Sequence, residues 1–271
     1  MRRFPAWFGG AVCAALVLSA ALAPWLAPAD PAAQHLALRL LPPGAGHLLG
    51  TDALGRDILS RVIHGSRVSL YVAVVTVAVS LAIGTLVGSV AGYKGGWVEE
   101  GAMRVVDVFL AFPGILLAIA LTAVLGPSLH NVILALCIMG WVGYARLVRG
   151  QVLLARELAY VESARALGCS GLRVMGRHIL PNVFGPVLVE ATFAMAGAIV
   201  AEAGLSFLGL GTQPPTPSWG SMLAEGRQFI LVAPHLTVWP GVAILLTVLG
   251  INLLGDALRD RMRGTGTPAG Q

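Results

Sequence analysis

Long apolar stretches separated by short charged ones set the pattern of this chain. Ala11–Pro28 holds no charged residue, and Val68–Gly92 runs for 25 residues without one. Val108–Ala145 is uncharged over 38 residues, Val183–Ala201 is interrupted only by Glu190, and Gln228–Leu254 holds no acid, Arg or Lys. About 20 apolar residues cross a bilayer as a helix. The 38-residue stretch is too long for one crossing. Gly126-Pro127-Ser128, with His130 and Asn131, breaks it into two helices and a tight turn. The pattern predicts an all-α membrane protein of six transmembrane helices. Residues 1–10 precede the first span at 11–28, and 29–67 form an external segment. A core of five spans follows over 68–263, with a charged loop at 146–182, and 264–271 read as a disordered tail. Within 50–67, Ile58, Leu59, Val62 and Ile63 face one way and Arg56, Ser60 and Arg67 elsewhere. That amphipathic pattern predicts a helix lying on the outer leaflet, or part of a dock for an external partner.

Composition sharpens the picture. The chain has 271 residues, 56% hydrophobic and 11% charged, with a mean hydropathy of +0.81. A soluble domain carries about 25% charged residues, so a water-soluble globule is excluded. The 34 Gly and 16 Pro suit membrane helices. The net charge is +5, and every cation except Lys94 is an arginine. No basic tract interleaved with aromatics suggests nucleic acid. Arginine and lysine placement reads as topology. With both termini in the cytoplasm, thirteen cations lie inside and five outside. The weak point is Arg56–Arg67, which falls outside. Ala21-Leu22-Ala23 has the look of a signal-peptidase site, but Pro24 follows it and the run is long enough to span, so a retained first helix is expected. Cys13, Cys137 and Cys169 form no CxxC and imply no disulfide framework.

Several chemistries lack their residues. The phosphate-binding GxxxxGK[ST] loop is absent, since Gly95 follows the only lysine. The six histidines are scattered, with no HExxH and no i, i+4 pair, so no metal site is expected. There is no GxSxG elbow. One catalytic lookalike remains: Gly168-Cys169-Ser170-Gly171 resembles the GxSG of rhomboid intramembrane proteases, with His178 or His235 as a downstream base. Arg165, Arg173 and Arg177 flank it, which places it in a polar loop rather than in the bilayer. Gly84, Gly88 and Gly92 form a small-xxx-small face suited to close helix packing.

The charged loop is the most informative segment. Over Arg146–Asn182 it reads RLVRGQVLLARELAYVESARALGCSGLRVMGRHILPN. Leu158, Val161, Ala164 and Leu167 recur at helical steps. Gly168 suits the residue just past a helix end. Ser170 suits the cap of a second short helix through Met175, and Pro181 restarts the chain toward the membrane. A structured hairpin projecting from a chain without its own nucleotide site reads as a docking device.

Glu162-Ser163-Ala164, then Gly168, then Ile179-Leu180-Pro181, resembles the EAA…G…LP loop of ABC-transporter permease subunits. His47-Leu48-Leu49-Gly50-Thr51-Asp52 with Gly55-Arg56-Asp57 and Ser60-Arg61 resembles the external motif of one branch. Gly204–Gly211 after Glu202 and Asn252–Asp260 resemble two more of its motifs. That branch is the dipeptide/oligopeptide/nickel group, in its second, C-type membrane subunit, and the likeness covers residues 11–263. Ser163 stands where the loop usually has alanine.

The resemblance implies a type I ABC importer permease in a bacterial or archaeal inner membrane. It implies a heterodimer with a homologous permease, two ATPase subunits that bind ATP and Mg, and an external solute-binding protein that delivers di- or oligopeptides. No cofactor and no catalytic residue are expected in this chain. Glu162, Ser163, Ala164, Ala166, Leu167, Gly168, Leu172, Leu180 and Pro181 would couple it to an ATPase; for Ala164 and Leu167, packing of the loop on itself is an equal alternative. Glu190 and Glu202 are candidates for the translocation path, since a carboxylate facing lipid is costly. Glu202 has a structural alternative, pairing with Arg56 or Arg61, and Asp107 one with Arg104. A nickel or metal-chelate cargo, the rhomboid-like protease using Ser170, and a self-contained secondary transporter remain as other readings.

Overall fold

The computed structural model describes residues 3–264 and side chains from residue 6 to residue 262; of the expected tail at 264–271, Gly264 ends a helix and 265–271 lie outside the described residues. The helices are α1 (Arg3–Ala21), α2 (Ala23–Leu26), α3 (Ile58–Lys94), α4 (Gly96–Leu110), α5 (Gly114–Leu125), α6 (Leu129–Arg156), α7 (Ala159–Ala166), α8 (Gly171–Arg173), α9 (Leu180–Phe207), α10 (Trp219–Gly226) and α11 (His235–Gly264). Among the described residues there is no β-strand, only an isolated bridge between Thr51 and Asp57.

Local chemistry sets the boundaries. The Asp57 carboxylate accepts the Ser60 N–H at 2.8 Å and starts α3. Gly95, at φ +67°, ends it. Ser128 Oγ accepts the Asn131 N–H at 3.1 Å to start α6, just after Gly126 at φ +92° closes α5. Ser218 and Ser221 form a reciprocal capping box on α10.

The expected count of six spans is not confirmed by length and apolarity alone. Among the described residues, four helical stretches have the length and apolarity to cross a membrane: Ile58–Lys94, Leu129–Arg156, Gly171–Phe207 and His235–Met262. The pair α4 and α5 makes a fifth if counted as one broken span; it bends by 80°. Pro113 causes the break, because it disfavours helix at the residue before it. That leaves α5 with 12 residues, roughly 18 Å at 1.5 Å per residue, short of a hydrocarbon core of about 30 Å. Helix α1 runs for 19 residues, Arg3–Ala21, roughly 28 Å at 1.5 Å per residue, and its described apolar part is Ala6–Ala21.

The amphipathic helix expected to lie on the membrane surface is not a separate element. Residues 58–67 are the first turns of α3, which runs unbroken to Lys94. The chain there lacks a breaker. Its single glycine, Gly65, serves packing: a Cβ would fall 2.8 Å from the Trp219 ring. The polar side chains Ser60 and Arg61 point into the protein rather than to water.

Helices α3 and α6 form the central pair. Gly84, Gly88 and Gly92 lie against the α6 backbone at Trp141, Ala145 and Arg149, leaving no room for a Cβ. The glycine face is thus an intrachain packing seam. Helix α1 packs against α11 through Gly9 and Gly250, and Ser19 bonds Ser66 near the start of α3. At one end of the bundle lie the 29–57 segment, α10 and the start of α11, and Trp219 Nε1 donates to Val62 O at 2.9 Å, tying α10 to the start of α3. At the other end α7 and α8 stand beside the start of α9, and Met262 of α11 reaches Gly185 there.

Candidate functional site

The α7–α8 hairpin is built as a bent lever. Val161 and Ala164 are buried in a cluster with Val148 and Val152 of α6, Val174 and Ile179 after α8, and Val183 of α9. The chain then reverses at Gly168, which stands at φ +80°. The Gly168 N–H donates to Arg165 O at 2.9 Å, and the Cys169 N–H to Ala164 O at 3.1 Å. These two bonds make a Schellman termination. Residues 174–179 continue as a π-helical segment into α9, a geometry found often at functional sites.

The candidate coupling residues sort by exposure. Leu167 and Leu172 are 85% and 89% exposed, far beyond what an apolar side chain in a loop gains from solvent. Glu162, Ser163, Ala166, Gly168 and Pro181 are exposed as well, and Leu180 is half-buried. Ala164 is buried, so the open question for Ala164 and Leu167 divides: the alanine packs and the leucine projects. Ser163 Oγ donates to Ala159 O at 2.9 Å, within its own helix. Asn182 Nδ2 donates to the Tyr160 hydroxyl at 3.1 Å and to His178 O at 2.8 Å, tying α7 to the start of α9. The Arg165 guanidinium stacks over Tyr93 at 5.2 Å.

The two glutamates of α9 stand in different surroundings. Glu190 is exposed and lines an open pocket with Asn182, Pro186, Leu147 and Arg259. Glu202 is fully buried and accepts the Ser206 O–H at 2.7 Å. It does not pair with Arg56 or Arg61, contrary to the alternative raised from sequence. Asp107 pairs with Arg146 at 2.9 Å rather than with Arg104, which meets Glu100 at 3.6 Å. Helical spacing suggested the nearer arginine, and the packing of α4 on α6 supplied the farther one.

A charged cluster at the opposite end escaped the sequence reading. Arg56 meets Asp52 at 2.6 Å and Glu225 at 2.6 Å; Arg61 meets Glu225 at 3.1 Å and Asp52 at 3.5 Å. His47 Nδ1 lies 2.9 Å from Asp57. Gly50 and Gly55, at φ +82° and +71°, turn the chain so that these side chains converge. Asp52 and Glu225 thus pair with both arginines that the sequence places on the outside. The signal available was the acid–base spacing of Asp52 and Arg56 with the remote Glu225.

Ser170 does not have the surroundings of a nucleophile. It is exposed, and no hydrogen bond links it to His178 or His235. His235 instead faces Thr51 O at 3.3 Å, at the other end of the bundle. Among the described residues no three His, Cys, Asp or Glu side chains gather as a metal site.

Fold and hairpin together define a polytopic membrane protein with a projecting helical lever. The family described as binding-protein-dependent transport system inner membrane component matches residues 84–263, and the N-terminal TM domain of oligopeptide transport permease C matches residues 1–43. The chain belongs to the binding-protein-dependent transport system inner membrane component family. It is 48% identical over 249 residues to the glutathione transport system permease protein GsiD of Escherichia coli, covering 91% of this chain and 82% of that protein. It is 44% identical over 251 residues to the dipeptide transport system permease protein DppC of Alkalihalophilus pseudofirmus, covering 93% and 83%. In fold it is similar to a chain of the MetNI methionine ABC transporter solved in inward-facing conformations, with a TM-score of 0.61, 19% identity, and coverage of 78% of this chain and 98% of that one. The protein is a multi-pass inner-membrane permease of an ABC importer. Its family works with a partner permease, ATPase subunits and a binding protein.

Proposed function

We propose that this chain forms half of a translocation path for di- or oligopeptides, and that its α7–α8 hairpin is the contact through which ATPase subunits move it. The reading of cargo rests on the dipeptide and glutathione transport named for its relatives. The observation that carries the coupling role is the pair Leu167 and Leu172, two leucines almost fully exposed on either side of a glycine-determined reversal. In water such a pair is unfavourable, by about 25 cal/mol per Å² of apolar surface; against a partner cleft it is an anchor. Glu162, Ser163, Ala166 and Gly168 form the polar and backbone parts of the same surface. Buried Ala164 holds the hairpin to α6 and α9, so a push on the leucines reaches both membrane helices. This is coupling between two states of the bundle, biased by nucleotide on the partner.

The chain itself takes no catalytic part and holds no cofactor in this scheme; ATP and Mg are held by the ATPase subunits. A heterodimer with a homologous permease and two ATPases is the proposed assembly. Both termini lie with the hairpin on the cytoplasmic side. The arginine distribution supports that orientation, as does the packing of α1 and α11. Glu190 faces the path and Glu202 serves the fold.

The test is reconstitution in proteoliposomes with the partner permease, the ATPases and the binding protein. ATP-dependent uptake of dialanine or reduced glutathione is expected. Uptake that persists without ATPase subunits would sink the proposal in favour of a secondary transporter.

A further inference from the structure

An open groove of about 710 Å³ runs along the second half of α3 and has no role so far. Leu81, Leu86 and Val90 of α3 form one wall, and Met175 and Leu180, where the hairpin passes into α9, form the other. Tyr93 and Lys94 line it where α3 ends. From Leu81 to Lys94 the helix rises by roughly 20 Å at 1.5 Å per residue. One leaflet's acyl chains occupy about 15 Å, half of a hydrocarbon core of about 30 Å. Thr85 and Ser89 also border the groove, but their hydroxyls are buried away from it. The walls above Lys94 are therefore almost wholly hydrocarbon.

The end of the groove has a different character. Lys94, the chain's single lysine, is exposed in the last turn of α3. The guanidinium of Arg165, from α7, stacks over the Tyr93 ring at 5.2 Å. Stacking uses the face of a guanidinium and leaves its N–H edge for an anion, and that edge matches a phosphate. Among the described residues neither Lys94 nor Arg165 has an ion pair; the nearby Glu99 and Glu100 pair with Arg149 and Arg104. Trp97, 94% exposed just after Lys94, carries the kind of ring that sits at headgroup level. An apolar channel of one leaflet's depth that ends in two unpaired cations complements an anionic phospholipid in both shape and charge. A neutral lipid or an apolar helix would fill the channel and leave the cations without a partner.

We infer that this groove binds an anionic phospholipid of the inner leaflet, with an acyl chain along residues 81–90 and the phosphate held by Lys94 and Arg165. The inference rests on the orientation given above, which puts the hairpin and the end of α3 on the cytoplasmic side. Basic pockets beside membrane helices on that side suit anionic headgroups. The site also joins the lever to a membrane helix. A Cβ at Gly171 would stand 3.1 Å from the Tyr93 ring, so α8 lies close against the tyrosine. Leu172 borders the groove as well. A lipid seated there favours one arrangement of the hairpin against α3, which makes coupling depend on the anionic lipid content of the membrane.

The test places the complete complex in liposomes with limiting amounts of a phosphatidylglycerol that carries a photoactivatable diazirine on its acyl chain, or of the matching phosphatidylcholine. Cross-linked peptides are mapped by mass spectrometry. Phosphatidylglycerol is expected to label residues 81–90 and Met175 about 25 times more than phosphatidylcholine does, about fivefold for each cation. Lys94→Gln and Arg165→Gln are each expected to lower that labelling about fivefold. Ala82→Trp fills the groove from an exposed position and is expected to abolish labelling by both lipids. Arg104→Gln removes an exposed cation outside the groove and is expected to change nothing. All four positions are exposed, so the amount of membrane-inserted protein is expected to stay level. Equal labelling by the two lipids, indifference to Lys94→Gln and Arg165→Gln, or an equal fall in Arg104→Gln overturns the inference alone. So does a groove without adducts, the result expected if a partner subunit covers it. The orientation is read separately. In a Cys13→Ala, Cys137→Ala, Cys169→Ala background, Lys94→Cys in intact cells is expected to resist an impermeant thiol reagent added outside. Modification from outside overturns the orientation and the inner-leaflet site with it.

Discussion

Arg61 and Glu225 are 164 residues apart in sequence, yet their charged groups lie 3.1 Å apart, and Arg61 is 1% exposed. The contact fastens the first turn of α3 to the end of α10. Glu225 also takes Arg56, so one carboxylate serves two guanidiniums, with Asp52 as the second acid.

That sharing makes Glu225 a vulnerable position. Removing one partner of a buried pair strands the other charge, at a cost of about 3–5 kcal/mol. Glu225 is partly open to solvent, so the lower part of that range applies. Glu225→Gln is expected to lower stability by about 3 kcal/mol, read as an earlier midpoint in detergent unfolding. Glu225→Asp retains the charge but shortens the reach, and is expected to fall between. Equal midpoints for wild type and Glu225→Gln would show that Asp52 alone holds both arginines.

Gly168 offers a graded test of the hairpin. No atom lies within 4 Å of a Cβ built there, so space is not the obstacle. Only the backbone at φ +80° resists a side chain, at about 1–2 kcal/mol for an ordinary residue. Asparagine tolerates this region better than alanine, and valine worse. Coupled uptake is expected to decline in the order Gly, Asn, Ala, Val, while the amount of membrane-inserted protein stays level. Ranking by side-chain volume alone, with Asn as poor as Val, would mean that crowding against the ATPase governs instead.

Ala164 lies in α7 and Leu167 just past its end, and the two are expected to fail differently. Leu167 touches solvent, so Leu167→Asp should alter the stability of this chain by no more than about 0.5 kcal/mol. It should abolish co-purification of the ATPase subunits. Ala164 is packed among Val148, Val161 and Val183. Ala164→Asp buries an unpaired charge, and loss of folded protein is expected before any question of assembly. Pull-down yield set against protein level separates the two.

How much of this was readable in the sequence depends on distance along the chain. The helical hairpin, its glycine terminator and the break near Gly126 follow from signals within a few residues, and they stand in the structure. The expected span beginning at Val108 is cut by Pro113: its first three residues end α4, and the rest forms the 12-residue α5. The amphipathic pattern of residues 58–67 was real, but its polar face meets Glu225 and Asp52 rather than water. A one-dimensional pattern distinguishes polar from apolar faces and not the partner each will meet. The pairs Asp107–Arg146 and Arg61–Glu225 depend on helix packing, to which local spacing is blind.

The glycine seam between α3 and α6 yields the sharpest prediction about the membrane region. At Gly88 a Cβ would meet Ala145 O, Val148 Cβ and Arg149 N together. Two of these are backbone atoms of a helix, which cannot step aside as a side-chain tip would. Overpacking in a tight core costs typically 1–3 kcal/mol. Gly88→Ala is therefore expected to destabilise the protein by about 2 kcal/mol, and Gly88→Leu to prevent the helices from closing. The effect should be local to this pair. Gly101, with nothing within 4 Å of its Cβ, is expected to accept alanine and even to stabilise α4 by about 1 kcal/mol, the helix-propensity difference. A control sharpens the test: Val148→Ala keeps the Cβ that a side chain at position 88 would meet, so all three obstacles remain and no rescue of Gly88→Ala is expected. Full rescue would place the whole clash on the valine side chain, and the α3–α6 distance would then be set by side chains rather than by backbone contact.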